Sequence, residues 1–318
     1  MKVRMRAFAK VNYALEVLAL RDDGYHGISS VLQSISLADE VEIERSGGRF
    51  ELRVEPEGAE AGPLEQNTVY RAWRLLGGSA GAELPARIRL HKKIPARAGL
   101  GGGSADAAAT LYGLNQLFSL GLDYKELRHL GSGIGADVPF ALTGGAALAK
   151  GVGEMLTPLP APPLHRLLVA KPEQGADTGV IYRAHDERPG EGTTSVEPVV
   201  AALRSGDLPA LARAIGNDLE QITAGFVPEV KMYREDLLRL GAMGAAMSGT
   251  GTAVYGVFEG EDGARSAAGR FDVPYVGIFE PVLRGVEALL GVPAVENLTA
   301  QIRSGIIAAA RAQSDTGA

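Results

Sequence analysis

Ile94-Pro95-Ala96-Arg97-Ala98-Gly99-Leu100-Gly101-Gly102-Gly103-Ser104-Ala105-Asp106-Ala107-Ala108 is the stretch on which the reading of this chain turns. It follows a strand-like segment, Arg87 to Leu90, and runs into an alanine-rich segment with helical spacing. Glycines lack a Cβ, so backbone N–H groups can approach an anion closely. A helix N-terminus adds unpaired donors and the positive end of a dipole. Four of the five residues from Gly99 to Gly103 are glycine, which predicts a phosphate cradle rather than an ordinary flexible turn. Ser104 can cap the helix, or approach a phosphate or its Mg²⁺. No Gly-Lys-Ser/Thr follows, so this is not a Walker A loop. Nor is it a dinucleotide fingerprint, because no strand with a terminal acidic residue lies at the right distance.

Around this run, strand-like and helical segments are interspersed. Met5 to Leu18, Asp39 to Glu44, Arg49 to Val54 and Arg87 to Leu90 alternate as strands do. Thr68 to Leu76 places Val69, Ala72, Trp73 and Leu76 on one helical face, with Trp73 a core residue; Ser104 to Phe118 places Ala108, Leu111, Asn115 and Phe118 on another. Helices are expected over about 198–225 and 228–240, and strands over Thr252–Phe258 and Tyr275–Phe279. A regular βαβ rhythm is missing, so the fold class is α+β. The proline-rich Pro158 to Pro163 cannot be crossed by a helix and marks the boundary between two domains. Arg188 to Glu197 reads as an exposed loop, and 283–318 as a helical extension.

Composition excludes several classes. The net charge is −6 with scattered Lys and Arg, which gives no footprint for nucleic acid. There is no cysteine, and the five histidines lack metal-ligand spacing. Disulfides, thiolate zinc sites and a metal held by protein ligands are therefore not expected. Met1 to Arg6 is basic but precedes neither a signal core nor a transit peptide, and no apolar run is long enough to span a membrane. The expectation is a cytoplasmic protein with a small-molecule partner, no membrane or nucleic-acid partner, acting as monomer or homodimer.

Two further glycine-bearing segments stand out. Gly133-Ile134-Gly135-Ala136-Asp137-Val138-Pro139-Phe140 puts a carboxylate between a tight turn and an apolar run, where it can act chemically or simply cap a helix. Met247-Ser248-Gly249-Thr250-Gly251-Thr252 can form a second backbone cradle or a tight helix-to-strand link.

Taken in order, these three segments resemble the motifs of the GHMP kinases, over about residues 5–282. Ala9-Lys10-Val11-Asn12, Arg21-Asp22-Asp23-Gly24-Tyr25-His26 and Asn217-Asp218-Leu219-Glu220 extend the resemblance to the branch acting on a cytidylyl diphosphate sugar alcohol. The Asp-Gly-Tyr-His element is the discriminating one. The resemblance implies a two-lobed fold, with an N-terminal ribosomal-protein-S5-like domain over 1–158 and a C-terminal ferredoxin-like α/β domain over 159–282. It implies transfer of the γ-phosphoryl group of ATP, used with Mg²⁺, to an alcohol.

In this resemblance Asp137 is the general base and Lys10 its partner. Arg97 to Ala107 hold the ATP phosphates, helped by Ser248, Gly249, Thr250 and Gly251, while Asn67 stands near the adenine or caps a helix. Tyr25 stacks on cytosine, His26 offers a donor and an acceptor to the base edge, and Tyr182 covers the other face. Asn12, Lys150 and Thr178 contact the remainder of the substrate. The chain departs from the family at Arg97-Ala98, where glycines are common, at Ala105, a frequent serine, and at Gly179, often proline. Another GHMP kinase, for mevalonate or homoserine, and a non-catalytic nucleotide-binding regulator are the competing readings. The first has no use for a cytidine clamp, and the second would need the Lys10–Asp137 pair broken.

Overall fold

The structure, a computed structural model, describes residues 2–57, 62–187 and 192–290. Two long strands, β1 (Lys2–Leu20) and β2 (His26–Arg45), form an antiparallel pair that organises the first sheet. In β1 the alternation of Val3, Met5 and Ala7 with Arg4 and Arg6 gives one buried face, while both faces are buried from Ala7 to Leu15. β3 (Glu51–Glu55), α1 (Thr68–Ala80), β4 (Ala86–His91), α2 (Gly102–Phe118), α3 (Tyr124–Ser132), α4 (Val138–Thr143), β5 (Ala146–Lys150) and β6 (Met155–Leu159) follow. The second sheet begins with β7 (Arg166–Lys171). After it come α5 (Thr178–Asp186), α6 (Glu197–Ser205), α7 (Leu208–Ala214), β8 (Gly216–Asn217), α8 (Glu220–Phe226), α9 (Glu229–Arg239), β9 (Gly244–Met247), β10 (Val254–Phe258), α10 (Glu261–Ala268), β11 (Tyr275–Phe279) and β12 (Val286–Leu290).

The first sheet has the order β12-β1-β2-β4-β3, with β5 also on β2, β6 on β5, and β8 parallel to β1. The second is antiparallel throughout, in the order β11-β7-β10-β9. This is the expected α+β architecture. The chain passes from one sheet to the other across the proline-rich segment between β6 and β7. It returns to β1 twice, through β8 and β12.

α2 lies buried against β1, β2 and α1, and small residues let it approach. A Cβ on Gly113 would stand 2.6 Å from Ile43 Cδ1, so the helix fits this close only with glycine there. In α1 the expected face is buried at Val69, Ala72 and Leu76. Trp73 is half-buried; its ring stacks on Phe50 and its Nε1 donates to the Leu84 carbonyl at 2.7 Å.

Two expectations change. The helix expected over 198–225 is three short helices separated by Gly206, in the left-handed region, and by the β8 bridge. The first part of the expected helical extension contains a strand, Val286–Leu290, paired antiparallel with β1 from Arg4 to Ala7; 291–318 lie outside the described residues. The open edge of β1 overrides helical propensity there. Part of the expected loop, 188–191, also lies outside the described residues. Among the described residues no helix is long and apolar enough to cross a membrane.

Candidate active site

Gly99 and Gly101 adopt φ of +72° and +70°, a conformation that turns the chain sharply into α2. The N-cap of α2 is Gly101, and no side chain caps the helix, so its first N–H groups are left for a ligand. Ser104 is therefore not the cap; it sits in the first turn and lines the cavity. Arg97 takes φ +48° and is exposed on the cavity wall. Gly175 makes room for it, since a Cβ there would lie 2.5 Å from Arg97 Cβ.

The segment 247–252 buttresses this loop. Ser248 Oγ donates to the Gly99 carbonyl at 2.9 Å, and Ala253 N donates to the Ala98 carbonyl at 3.1 Å. Ser248 is fully buried and faces the protein, whereas Gly249, Thr250 and Gly251 line the cavity. Thr250 and Thr178 hydroxyls meet at 3.0 Å. Ala105 and Ala107 are buried on the core side of α2, off the cavity lining.

Lys10, on β1, is 7% exposed, and its stem crosses Gly101, where a Cβ would meet Lys10 Cγ at 3.0 Å. Its Nζ donates to Asn12 Oδ1 at 2.8 Å and lies 3.4 Å from Asp137 Oδ2. Asp137 occupies the N-cap position of α4 but makes no side-chain cap hydrogen bond, so its carboxylate is turned toward Lys10 and the cavity. Asn12 is buried, with its amide donating to Ser30 Oγ at 2.8 Å. It orients Lys10 and also lines the cavity.

Lys92 was not singled out by the sequence. Its Nζ bridges Asp39 and Asp106, the latter at 2.7 Å, directly beneath Gly102. Asp39 is fully buried and also accepts from the Lys93 and Ile94 amides, which ties β2 to the loop before the glycines. Burial works against the Lys92 ammonium, but Asp106 and Asp39 outweigh it and raise its pKa. Burial pushes the Asp106 carboxyl up to about 8, the Asp39 charge adding to this against the pull of Lys92. Two buried carboxyl groups thus share one ammonium, an arrangement that favours the protonated form of Asp106. Asp106 Oδ1 is buried with no hydrogen-bond partner, and Asp106 is part of the cavity wall.

Asn67 caps α1, accepting from Val69 N at 2.9 Å, and also lines the cavity. Tyr25 is 68% exposed on the turn between β1 and β2. His26 lines the cavity, and its Nδ1 contacts the Leu18 carbonyl at 2.9 Å and its Nε2 Asp186 Oδ1 at 2.6 Å. Tyr182 stacks on His26, with centroids 5.6 Å apart and planes at 19°. Burial, and then the charge of Asp137, push the Tyr182 hydroxyl up to about 12. Lys150 is exposed at the end of β5, near Glu16 and Glu197. The cavity that joins Asn67, the glycine run, Lys10, Asp137, Tyr25 and Tyr182 is open and holds about 1280 Å³. That exceeds the roughly 300–1,000 Å³ usual for one small ligand.

Known proteins account for this arrangement. The profile of the GHMP kinases N terminal domain matches residues 67–145, and that of the GHMP kinases C terminal domain matches 199–273. A 4-diphosphocytidyl-2-C-methyl-D-erythritol kinase of Pelotomaculum thermopropionicum is 42% identical over 273 residues, 85% of this chain and 94% of its own. One from Caldanaerobacter subterraneus is 40% identical, over 91% of this chain and all of its own. A crystal structure of 4-(cytidine 5'-diphospho)-2C-methyl-D-erythritol kinase superposes with a TM-score of 0.72 at 37% identity, covering 87% of this chain and 98% of that one. The chain belongs to the 4-diphosphocytidyl-2-C-methyl-D-erythritol kinases, within the GHMP kinases. A homoserine kinase from Cytophaga hutchinsonii, with a TM-score of 0.70 at 21% identity, shares the fold.

In this member of the 4-diphosphocytidyl-2-C-methyl-D-erythritol kinases, Asn217-Asp218-Leu219-Glu220 serves to hold the others in place. Asn217 Nδ2 donates to the Met247 and Gly249 carbonyls at 2.9 and 2.7 Å. Glu220 accepts from Met247 N at 2.8 Å, and Asp218 accepts from Val17 N and Thr194 N. The loop that buttresses Gly99 is therefore fixed from its far side. Lys92 and Asp39 escaped the sequence reading because 53 residues separate them. The Lys92-Lys93 pair just before the glycine run was the available signal.

Proposed function

We propose that the chain transfers the γ-phosphoryl group of ATP to the 2-hydroxyl of 4-diphosphocytidyl-2-C-methyl-D-erythritol, a step of non-mevalonate isoprenoid precursor synthesis. One observation carries the reading: in a single cavity, the uncapped start of α2 stands beside a buried lysine whose Nζ is 3.4 Å from a carboxylate that does not cap its own helix. The first feature binds phosphate, and the pair handles a proton and the charge that moves with it.

The acceptor is a tertiary alcohol, a weak nucleophile, so positioning and charge stabilisation govern the rate. Asp137 accepts the hydroxyl proton while the oxygen forms its bond to the γ-phosphorus and the bond to the β-phosphate oxygen breaks, releasing ADP. Lys10, oriented by Asn12, supplies positive charge beside both the carboxylate and the phosphoryl oxygens. The amides at the start of α2 and the Gly99–Gly103 backbone hold the phosphates. The Ser104 hydroxyl is placed to hold Mg²⁺, which when bound neutralises phosphate charge. Tyr25 provides a face for the cytosine ring, with Tyr182 in the same cavity.

A coupled ADP-release assay tests this, comparing 4-diphosphocytidyl-2-C-methyl-D-erythritol with mevalonate and homoserine as acceptors. Turnover confined to the cytidylyl compound is expected. Preference for either other alcohol, or no release with any, overturns the reading.

A further inference from the structure

Each of the two glycines at the start of α2 has a lysine against it. Lys10 crosses Gly101, and the Lys92 ammonium lies 3.3 Å from the place a Cβ on Gly102 would take. Lys10 serves the reacting side of the cavity through Asp137, whereas Lys92 serves two buried carboxyls. Asp39, on β2, also accepts from the Lys93 and Ile94 amides. Asp106 is on α2 itself, one turn in from the helix start, and is 3% exposed. Its Oδ2 accepts from Lys92 at 2.7 Å, and its Oδ1 is enclosed with no hydrogen-bond partner. A carboxylate near this end suits the helix dipole but repels an anion bound there. Two such groups beneath a phosphate cradle work against it unless a cation offsets them.

We propose that Lys92 is a positioning residue for the nucleotide: its ammonium offsets Asp106 and Asp39, and so keeps the start of α2 attractive to phosphate. This rests on the reading of that uncapped helix start as the phosphate site. With all three groups ionised, two carboxylates and one ammonium leave a single net negative charge; without the ammonium the excess doubles. Water screens the trio little, since the Lys92 side chain is 14% exposed and that of Asp106 4%. An added charge close to a bound phosphate weakens binding, and weakens it more the more charge the ligand bears. The same bonds also act as tethers. Through Asp39 they tie β2 to the loop before the glycine run, and through Asp106 they tie that loop to α2. The two effects are separable: a lost tether weakens every ligand alike, whereas a lost charge is graded by ligand charge.

The test is calorimetric titration of the full-length protein with ATP, ADP and adenosine at pH 8.5, which reads binding without an acceptor or turnover. In Lys92→Met the affinity for ATP should fall at least about tenfold and that for ADP less, while adenosine stays within about twofold of the parent. Adding Asp106→Asn to Lys92→Met restores the single negative charge, and should bring ATP affinity back to within about threefold of the parent. Removing one partner of a buried ion pair is costly, whereas neutralising both is tolerated. The double variant therefore decides the matter even where Lys92→Met alone does not fold. Unchanged ATP affinity in Lys92→Met, equal losses for ATP and adenosine, or a folded double variant that still binds ATP about tenfold more weakly than the parent would each overturn the proposal. A parent chain that binds neither ATP nor ADP would overturn the phosphate reading, and this proposal with it.

Discussion

The Ser248 carbonyl oxygen occupies the place a side chain on Gly99 would need: a Cβ there would lie 1.9 Å from it. With φ at +72°, Gly99 is also in a conformation that other residues resist. Gly99→Ala should therefore part the phosphate loop from its buttress and lower stability by about 2–4 kcal/mol, combining backbone strain with overpacking. Calorimetric melting and nucleotide titration check this; a variant with unchanged melting temperature and ATP affinity would show that the two loops need not touch.

Asp137→Asn keeps the size of the side chain but removes the proton acceptor. Turnover should fall roughly 10²–10⁴-fold, with the affinities for nucleotide and acceptor little changed. Pre-steady-state measurement of ADP formation separates chemistry from release. A chemical step of near-normal rate would take the base role away from Asp137.

Asp106 gives a pH signature. Its folded pKa, pushed up to about 8 by burial, lies above the ordinary carboxylate range, so between the two the folded state binds more protons than the unfolded one. Its contribution to stability is therefore greatest at low pH and declines as pH rises through about 8. Asp106→Asn is neutral at every pH and should flatten that decline. Urea melts at pH 5.5, 7 and 8.5 provide the comparison, and parallel profiles for the two proteins would refute the account.

Tyr25 is the exposed ring at the cytidylyl side. If it stacks on cytosine, Tyr25→Ala removes about 1–3 kcal/mol of binding, a KM for the acceptor raised by roughly 5- to 150-fold with KM for ATP nearly constant. Equal losses for both substrates would argue against a clamp.

The phosphate side of the site was legible in the sequence because its message is carried by residue type: the positive φ at 99 and 101 favours glycine, and one residue separates the two in the chain. Lys10 and Asp137 were legible through motif resemblance alone. The first half of β2 was not, since Ser29, Ser30, Gln33 and Ser34 are buried polar residues that break the alternation. Two of them bond to groups distant in sequence: Ser30 Oγ donates to the Ala14 carbonyl and Gln33 Nε2 to the Val282 carbonyl. The same limit applied to His26, whose contact with Asp186 is made across 160 residues of sequence. Val286 to Leu290 has no local feature that prefers a strand; the vacant edge of β1 decides it.

That edge sets an order of events during synthesis. β1 precedes the other described elements, and Arg4 to Ala7 acquire their second neighbour only from Val286 to Leu290. Close by, Gly285 passes so near α4 that a Cβ on it would lie 1.8 Å from the Ala141 carbonyl oxygen, and its own carbonyl receives the Phe8 amide. Until nearly three hundred residues have been translated, the nascent chain carries an uncovered row of backbone donors and acceptors beside its phosphate-binding half. Such edges recruit other strands, so the arrival of residue 290 is the moment at which this stretch of β1 ceases to be an edge, a place then taken by β12.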